Sequence, residues 1–121
     1  MTLSEFSDYY VIHDATILDL DFDSKNHTVK MLIEIPFWMQ PDYVDGAPDL
    51  TQLLLIFKDV TKYETECPNP ASENIEVLGT KASDSTLSFT LYDNDTIEAC
   101  ELRITASSVT ASYVMTDTTP E

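Results

Sequence analysis

The chain has 121 residues, 43% of them hydrophobic, and its 22 acidic side chains against 6 basic ones set the net charge at -16. This length suits one domain over residues 1–121, which buries roughly two thirds of the surface its unfolded form exposes. Lys25, Lys30, Lys58, Lys62, Lys81 and Arg103 are dispersed along the chain, which excludes nucleic acid as a partner and disfavours anionic membrane surfaces, because phosphate is bound by clustered cations.

The first clear pattern lies at residues 16–23, where Leu18, Leu20 and Phe22 alternate with Asp19, Asp21 and Asp23. A period of two is that of a strand with one face in water. Ser24, Lys25, Asn26 and His27 have turn chemistry, and beyond them Val29, Met31, Ile33 and Ile35 share one face against Lys30 and Glu34. The pair reads as a β-hairpin over residues 16–35.

Residues 36–50 carry three prolines and one glycine, which forbid regular pairing and predict a long loop. Loops of that length usually bind something or cover an open end of a fold. In residues 52–60 the run from Leu53 to Phe57 is apolar, which suits a strand buried on both faces; periodicity alone also admits a helix, and the strand is preferred because the run is short and lies between a loop and a turn. Residues 61–72 are polar and read as a second exposed connection. In residues 69–79, Asn69 and Pro70 suit a helix start ended by Gly79, whereas Ile75 and Val77 alternate with Glu76; the strand is preferred.

Leu87, Phe89 and Leu91 alternate with Ser88, Thr90 and Tyr92, and Asp93, Asn94 and Asp95 then form a turn. After it Cys100, Leu102, Ile104 and Ala106 share a face, and past Ser107 and Ser108 so do Val109, Ala111, Tyr113 and Met115. The expected fold is all-β and mainly antiparallel, a small sandwich or strongly twisted sheet of six or seven strands with room for one short helix.

Asp19, Asp21 and Asp23 match the first three ligand positions of a calcium loop. The match ends there, since Ser24 stands where glycine is needed and Lys30 where a bidentate glutamate is needed. They read instead as the solvated face of a strand, available to a cationic partner. His13, His27, Cys67 and Cys100 are too scattered for a closed zinc site, and neither a metal nor another cofactor is expected. His13 and Asp14 form a sequence pair suited to acid–base work, but neighbours on a strand point to opposite faces, and no enzymatic role is expected. The opening Met-Thr-Leu-Ser-Glu-Phe-Ser-Asp lacks the basic start and apolar run of a signal peptide, so the cytoplasm is the expected location and Cys67 and Cys100 are expected as reduced thiols.

Phe37, Trp38 and Tyr43 lie in the long loop, where large aromatic side chains anchor partner surfaces. The competing reading has Trp38 folded back as a lid on the core. A homodimer contact or a closure over a small-ligand pocket would use the same loop.

The His13-Asp14 pair leads into an alternating strand, a second strand runs into the Trp38 loop, and a Leu-rich strand ends Ile56-Phe57-Lys58-Asp59-Val60. The run Leu102-Arg103-Ile104-Thr105-Ala106-Ser107-Ser108-Val109 closes the pattern. In this layout the chain resembles small acidic bacterial proteins of uncharacterised function, some grouped with the immunity proteins of polymorphic toxin systems. The resemblance implies a non-catalytic inhibitor of a basic toxin, which the acidic charge would steer into contact.

Overall fold

The computed structural model describes residues 1–68, 70, 71, 74–83 and 85–114. Helix α1 (Leu3–Tyr9) precedes eight strands: β1 (Thr16–Asp23), β2 (Thr28–Pro36), β3 (Leu50–Lys58), β4 (Lys62–Thr65), β5 (Ile75–Ser83), β6 (Thr86–Asp93), β7 (Glu98–Thr105) and β8 (Ser108–Val114). All eight strands join one antiparallel sheet, in the order β4-β7-β6-β5-β1-β2-β3-β8. No helix among the described residues is long and apolar enough to cross a membrane.

The strand count corrects the expected six or seven. The additional strand is β4, which lies inside the polar segment read as a connection and pairs with β7 from Lys62↔Thr105 to Thr65↔Leu102. At four residues it is too short to show alternation. Residues 75–83 form a strand, as preferred. Asn69 and Ser72 lie outside the described residues, as does Met115. The one α-helix opens the chain, where Thr2 Oγ1 accepts from the Glu5 amide at 3.0 Å and Glu5 Oε1 accepts from the Thr2 amide at 2.7 Å. This reciprocal cap satisfies donors that a helix start leaves unpaired and turns Leu3 and Phe6 into the core.

Two four-stranded halves meet at β1 and β5 through a short seam. Thr16 pairs with Glu76, the Asp14 amide donates to Val77 O at 2.8 Å, and the Val77 amide donates to Ala15 O at 2.7 Å. Each seam strand carries a bulge beside it, at Ile17/Asp19 in β1 and at Val77/Gly79 in β5. The extra residues Leu18 and Leu78 are pushed outward, 38% and 40% exposed. Leu18 therefore leaves the inner face on which alternation alone would set it. Bulges bend and twist a sheet, and here the sheet folds over on itself. Val29, Met31, Ile33, Leu53, Leu55 and Phe57 from one half and Leu87, Phe89, Leu91, Leu102 and Ile104 from the other fill one buried core. On the opposite face of β3, Leu54 and Ile56 are half-buried, short of the complete two-sided burial their apolar run suggests.

The β1–β2 and β6–β7 hairpins close by the same device. Asp23 Oδ1 accepts from the amides of Lys25 and Asn26, and Asp93 Oδ1 accepts from those of Asp95 and Thr96. Each turn ends in a left-handed residue, His27 at φ 54° and Ile97 at φ 58°. A β-branched side chain is strained there, and Ile97, 73% exposed, makes no compensating burial.

Cys67 and Cys100 form a disulfide with Cα atoms 5.5 Å apart, which corrects the expectation of reduced thiols. Pairing of β4 with β7 brings the chain just past Thr65 back alongside Cys100, so residues separated by 33 positions lie opposite each other.

Two outcomes follow for stability. Unfolded without reductant, the protein should show no free thiol in a thiol assay, and reduction should lower its unfolding free energy in urea by about 3–4 kcal/mol if loop entropy dominates. Ile97→Gly should raise the urea midpoint, by about 1 kcal/mol in free energy, because glycine adopts the left-handed conformation without the steric cost.

Candidate functional site

The long connection between β2 and β3 is the most built feature on the surface. Pro36 ends β2 and a 3-10 turn follows at Phe37–Met39. The Phe37 amide donates to Asp49 O at 2.7 Å, closing the base of the loop, and the Gln40 amide donates to Phe37 O at 2.9 Å. Gln40 is the buried polar side chain of the described core, 4% exposed. Its Oε1 accepts from the Val11 amide at 2.9 Å, while its Nε2 donates to Val11 O and to Pro36 O. A buried amide is stable only when so satisfied, and these bonds clasp the loop to the chain that leaves α1.

A second clasp is a pair of hydrogen bonds to a carboxylate. Asp42 accepts from the Tyr9 hydroxyl at 2.6 Å through Oδ1 and from the Tyr113 hydroxyl at 2.7 Å through Oδ2. The Tyr9 bond, then the Tyr113 bond, hold its carboxyl below the usual carboxylate range. Tyr9 is raised chiefly by its bond to Asp42, and Tyr113 is raised by burial first and by Asp42 second. The Phe37 ring lies 5.4 Å from Tyr43, edge to face, and 5.4 Å from Tyr113. Offset and edge contacts of this kind are favourable. Gly46, at φ 89°, lets the chain reverse at the loop tip.

Held from beneath, the loop and the start of β3 turn three large apolar residues outward. Trp38 is 59% exposed, Val44 63% and Leu50 53%. Trp38 is not a lid on the core. The inward aromatic role falls to Phe37 and Tyr43, both half-buried. Asp42, Asp45 and Asp49 lie in the same loop, which contains no Lys or Arg between residues 37 and 50. Beside it a cleft of about 480 Å³ opens between Phe37 and Pro48 on the loop and Glu34, Leu50, Gln52 and Tyr113 on the sheet.

The aspartates of β1 are elsewhere. Asp19 Oδ1 accepts from the Leu20 amide next to the bulge, Asp21 faces Lys30 in register, and Asp23 serves the turn. Asp23 pairs with Thr28 at the far end of β2 from Pro36, about 26 Å from the loop at the usual strand rise. Within the loop the Phe37 and Tyr43 rings are in contact and Trp38 stands outward, while Asp19, Asp21 and Asp23 lie along β1 opposite Leu32, Lys30 and Thr28 of β2.

His13 and Asp14 do meet, with Nε2 3.4 Å from Oδ1, because Asp14 turns the chain at φ 69° and the pair is not on a strand. Both are more than half exposed, and His13 Nδ1 lies 2.6 Å from Leu78 O at the seam. Arg103 contacts Glu64, Glu66 and Glu101, an exposed cluster that retains excess negative charge. Among the described residues no group of three or more His, Cys, Asp or Glu side chains is placed to hold a metal ion.

Sequence reasoning found the aromatic loop but missed Gln40, Asp42, Tyr9 and Tyr113. Their partners lie 29, 33 and 71 positions away, so no local pattern marks them. Compared with known proteins, the chain matches no family model, no curated protein and no solved structure.

Asp42→Asn should move the ionisation of Tyr9 and Tyr113 to lower pH in a tyrosine absorbance titration, with Tyr113 still above the ordinary tyrosine value of about 10 because its burial persists. The acid side has a definite sign. A carboxyl lowered by folding adds stability above its unfolded pKa, near 3.9, which is lost as pH falls through its lower folded value. The wild-type advantage over Asp42→Asn in thermal midpoint should therefore shrink on acidification below about pH 4.

Proposed function

We propose that this protein is a non-catalytic binding protein whose loop at residues 36–50 docks a basic protein partner, in the manner of an immunity-type inhibitor of a basic toxin. The observation that carries this reading is the exposure of Trp38. It is the chain's one tryptophan, and it stands 59% exposed on a loop secured by the Gln40 and Asp42 hydrogen bonds. Tryptophan is enriched among the few residues that dominate interface energies, and a loop fixed in advance loses little conformational freedom on binding. The surrounding aspartates and the net charge of -16 favour a cationic partner and would speed the encounter at low salt.

The immunity form of the reading sets the protein in the cytoplasm, whereas the Cys67–Cys100 bridge favours an oxidising compartment. The deciding experiment therefore captures partners separately from the cytoplasmic and the exported fractions of the host, at low salt, and elutes at high salt. A basic protein retained by the wild type and by Ile97→Ala but weakened about thirtyfold or more by Trp38→Ala supports the reading, in line with the truncation of an interface anchor. Equal capture by Trp38→Ala removes it.

A second reading, a self-associating or small-ligand domain, is favoured by the cleft between Phe37, Leu50 and Tyr113, whose volume of about 480 Å³ falls within the range of ligand sites. A dimer that persists at high salt and is lost in Trp38→Ala would replace the basic partner with a second copy of the chain.

A further inference from the structure

We propose that two copies of this chain pair through the outer face of β1, β2, β3 and β8, their sheets stacked about a two-fold axis that runs parallel to the strands. The inference uses a surface other than Trp38 and does not rest on the docking reading.

The strand registers set this face out in rows. One row across the four strands reads Asp19, Leu32, Leu54 and Ser112, and the next Asp21, Lys30, Ile56 and Thr110. Their alternates Met31, Leu53 and Leu55 are fully buried, so both rows point away from the core, and α1 packs on the inner side through Leu3 and Phe6. Leu32, Leu54 and Ile56 are half-buried and adjoin one another at the middle of the face. On one flank the β1 column presents carboxylates, which only accept hydrogen bonds; on the other the β8 column presents the exposed hydroxyls of Thr110 and Ser112, which can donate. No ion pair among the described residues reaches Asp19, Asp21 or Lys30.

This asymmetry between the flanks selects the occupant and its orientation. A two-fold axis across the strands would set the aspartates of one copy against those of the other. An axis along the strands exchanges β1 with β8 and β2 with β3. Asp19 and Asp21 then accept from Ser112 and Thr110 of the second copy, and Leu32 meets Leu54 of the second copy. The roughly 30° rotation usual between stacked sheets leaves the centre of the face in register. A basic partner would satisfy the β1 carboxylates but set its cations against Lys30 and the hydroxyl column, whereas a second copy matches both flanks. Four strands of seven to nine residues, about 4.8 Å apart and rising about 3.3 Å per residue, span about 500 Å² in projection. Side-chain relief raises the accessible area toward the roughly 800 Å² per partner of a stable association. Each copy carries a charge of -16, so screening by salt strengthens this dimer, the opposite of its effect on a complex with a basic protein.

The test is sedimentation equilibrium of the full-length protein in about 50 and about 500 mM salt, with circular dichroism to show that each variant is folded. A monomer–dimer equilibrium that shifts toward dimer in high salt is expected. Ser112→Asp sets a carboxylate against Asp19 of the second copy, twice per dimer, and should weaken association about tenfold or more, whereas Ser112→Lys should tighten it about threefold or more. Ser83→Asp and Ser83→Lys, at an exposed position of β5 in the other half, alter net charge equally and should change the constant less than about twofold. A monomer at both salt concentrations overturns the inference, as does a dimer weakened by salt or Ser112 variants that behave like their Ser83 counterparts. A dimer lost in Trp38→Ala and indifferent to Ser112 overturns it in favour of a contact through the loop. Capture of a basic protein by a chain that stays monomeric leaves the docking reading standing while this inference falls; the dimer as described, with no basic protein captured, does the reverse.

Discussion

The seam between β1 and β5 is the constraint on which the rest of the architecture depends. It consists of one residue pair and two backbone hydrogen bonds around Thr16 and Val77, far fewer than join the strands within either half. A bulge on each side pushes Leu18 and Leu78 out and bends the sheet. A flat eight-stranded sheet of this length would leave one face of Leu, Ile and Phe in water. Bending at the seam lets that face close on itself, with α1 in contact with β5 and β6 of one half and β8 of the other. The sheet edges are managed as well. Met1 exchanges both backbone bonds with Val109 on β8, and β4 presents Lys62 and Glu64, charges that discourage edge pairing.

Closure has a consequence for the loop. Folding the sheet brings the end of α1, the Val11 backbone and Tyr113 of β8 to the base of the β2–β3 connection, where Gln40 and Asp42 bind them. The loop is thereby anchored at two points by groups that belong to three separate elements. Its polar anchors are spent inward, and what remains to face solvent is Trp38, Val44 and Leu50 among uncompensated aspartates. On the reading proposed above, anchoring, apolar exposure and negative charge are the properties of this surface that a cation-bearing partner would meet.

Acidity acts differently at different places in the molecule. Asp23 and Asp93 close hairpins by accepting backbone amides, Asp19 accepts one beside a bulge, and Asp42 fixes two tyrosines. These aspartates have structural work that would be needed at any net charge. Glu34, Asp45 and Asp49 contribute to the field around the loop and cleft. The three aspartates of β1, the most conspicuous acidic pattern in the sequence, lie at a distance from it.

Alternation alone determined much of this protein: the hairpin at residues 16–35, the strands after Leu87, the inner-facing residues of β2 and β6, and the aromatic loop all follow from period-two patterning and from proline. Such features are local, because the side-chain repeat of a strand and the backbone limits of proline act within a few residues. Tertiary structure decided what depends on distant partners. It added β4, which is a strand by virtue of β7. It joined Cys67 to Cys100 through that pairing, turned Leu18 outward at a bulge created by the seam, and chose between Trp38 as a lid and Trp38 as an exposed side chain. That last choice turned on Gln40 and Asp42, whose roles were set by Val11, Tyr9 and Tyr113 arriving from elsewhere in the chain. A residue's pattern records its own preference for burial, whereas its final place is fixed by the competition among all side chains for one finite core.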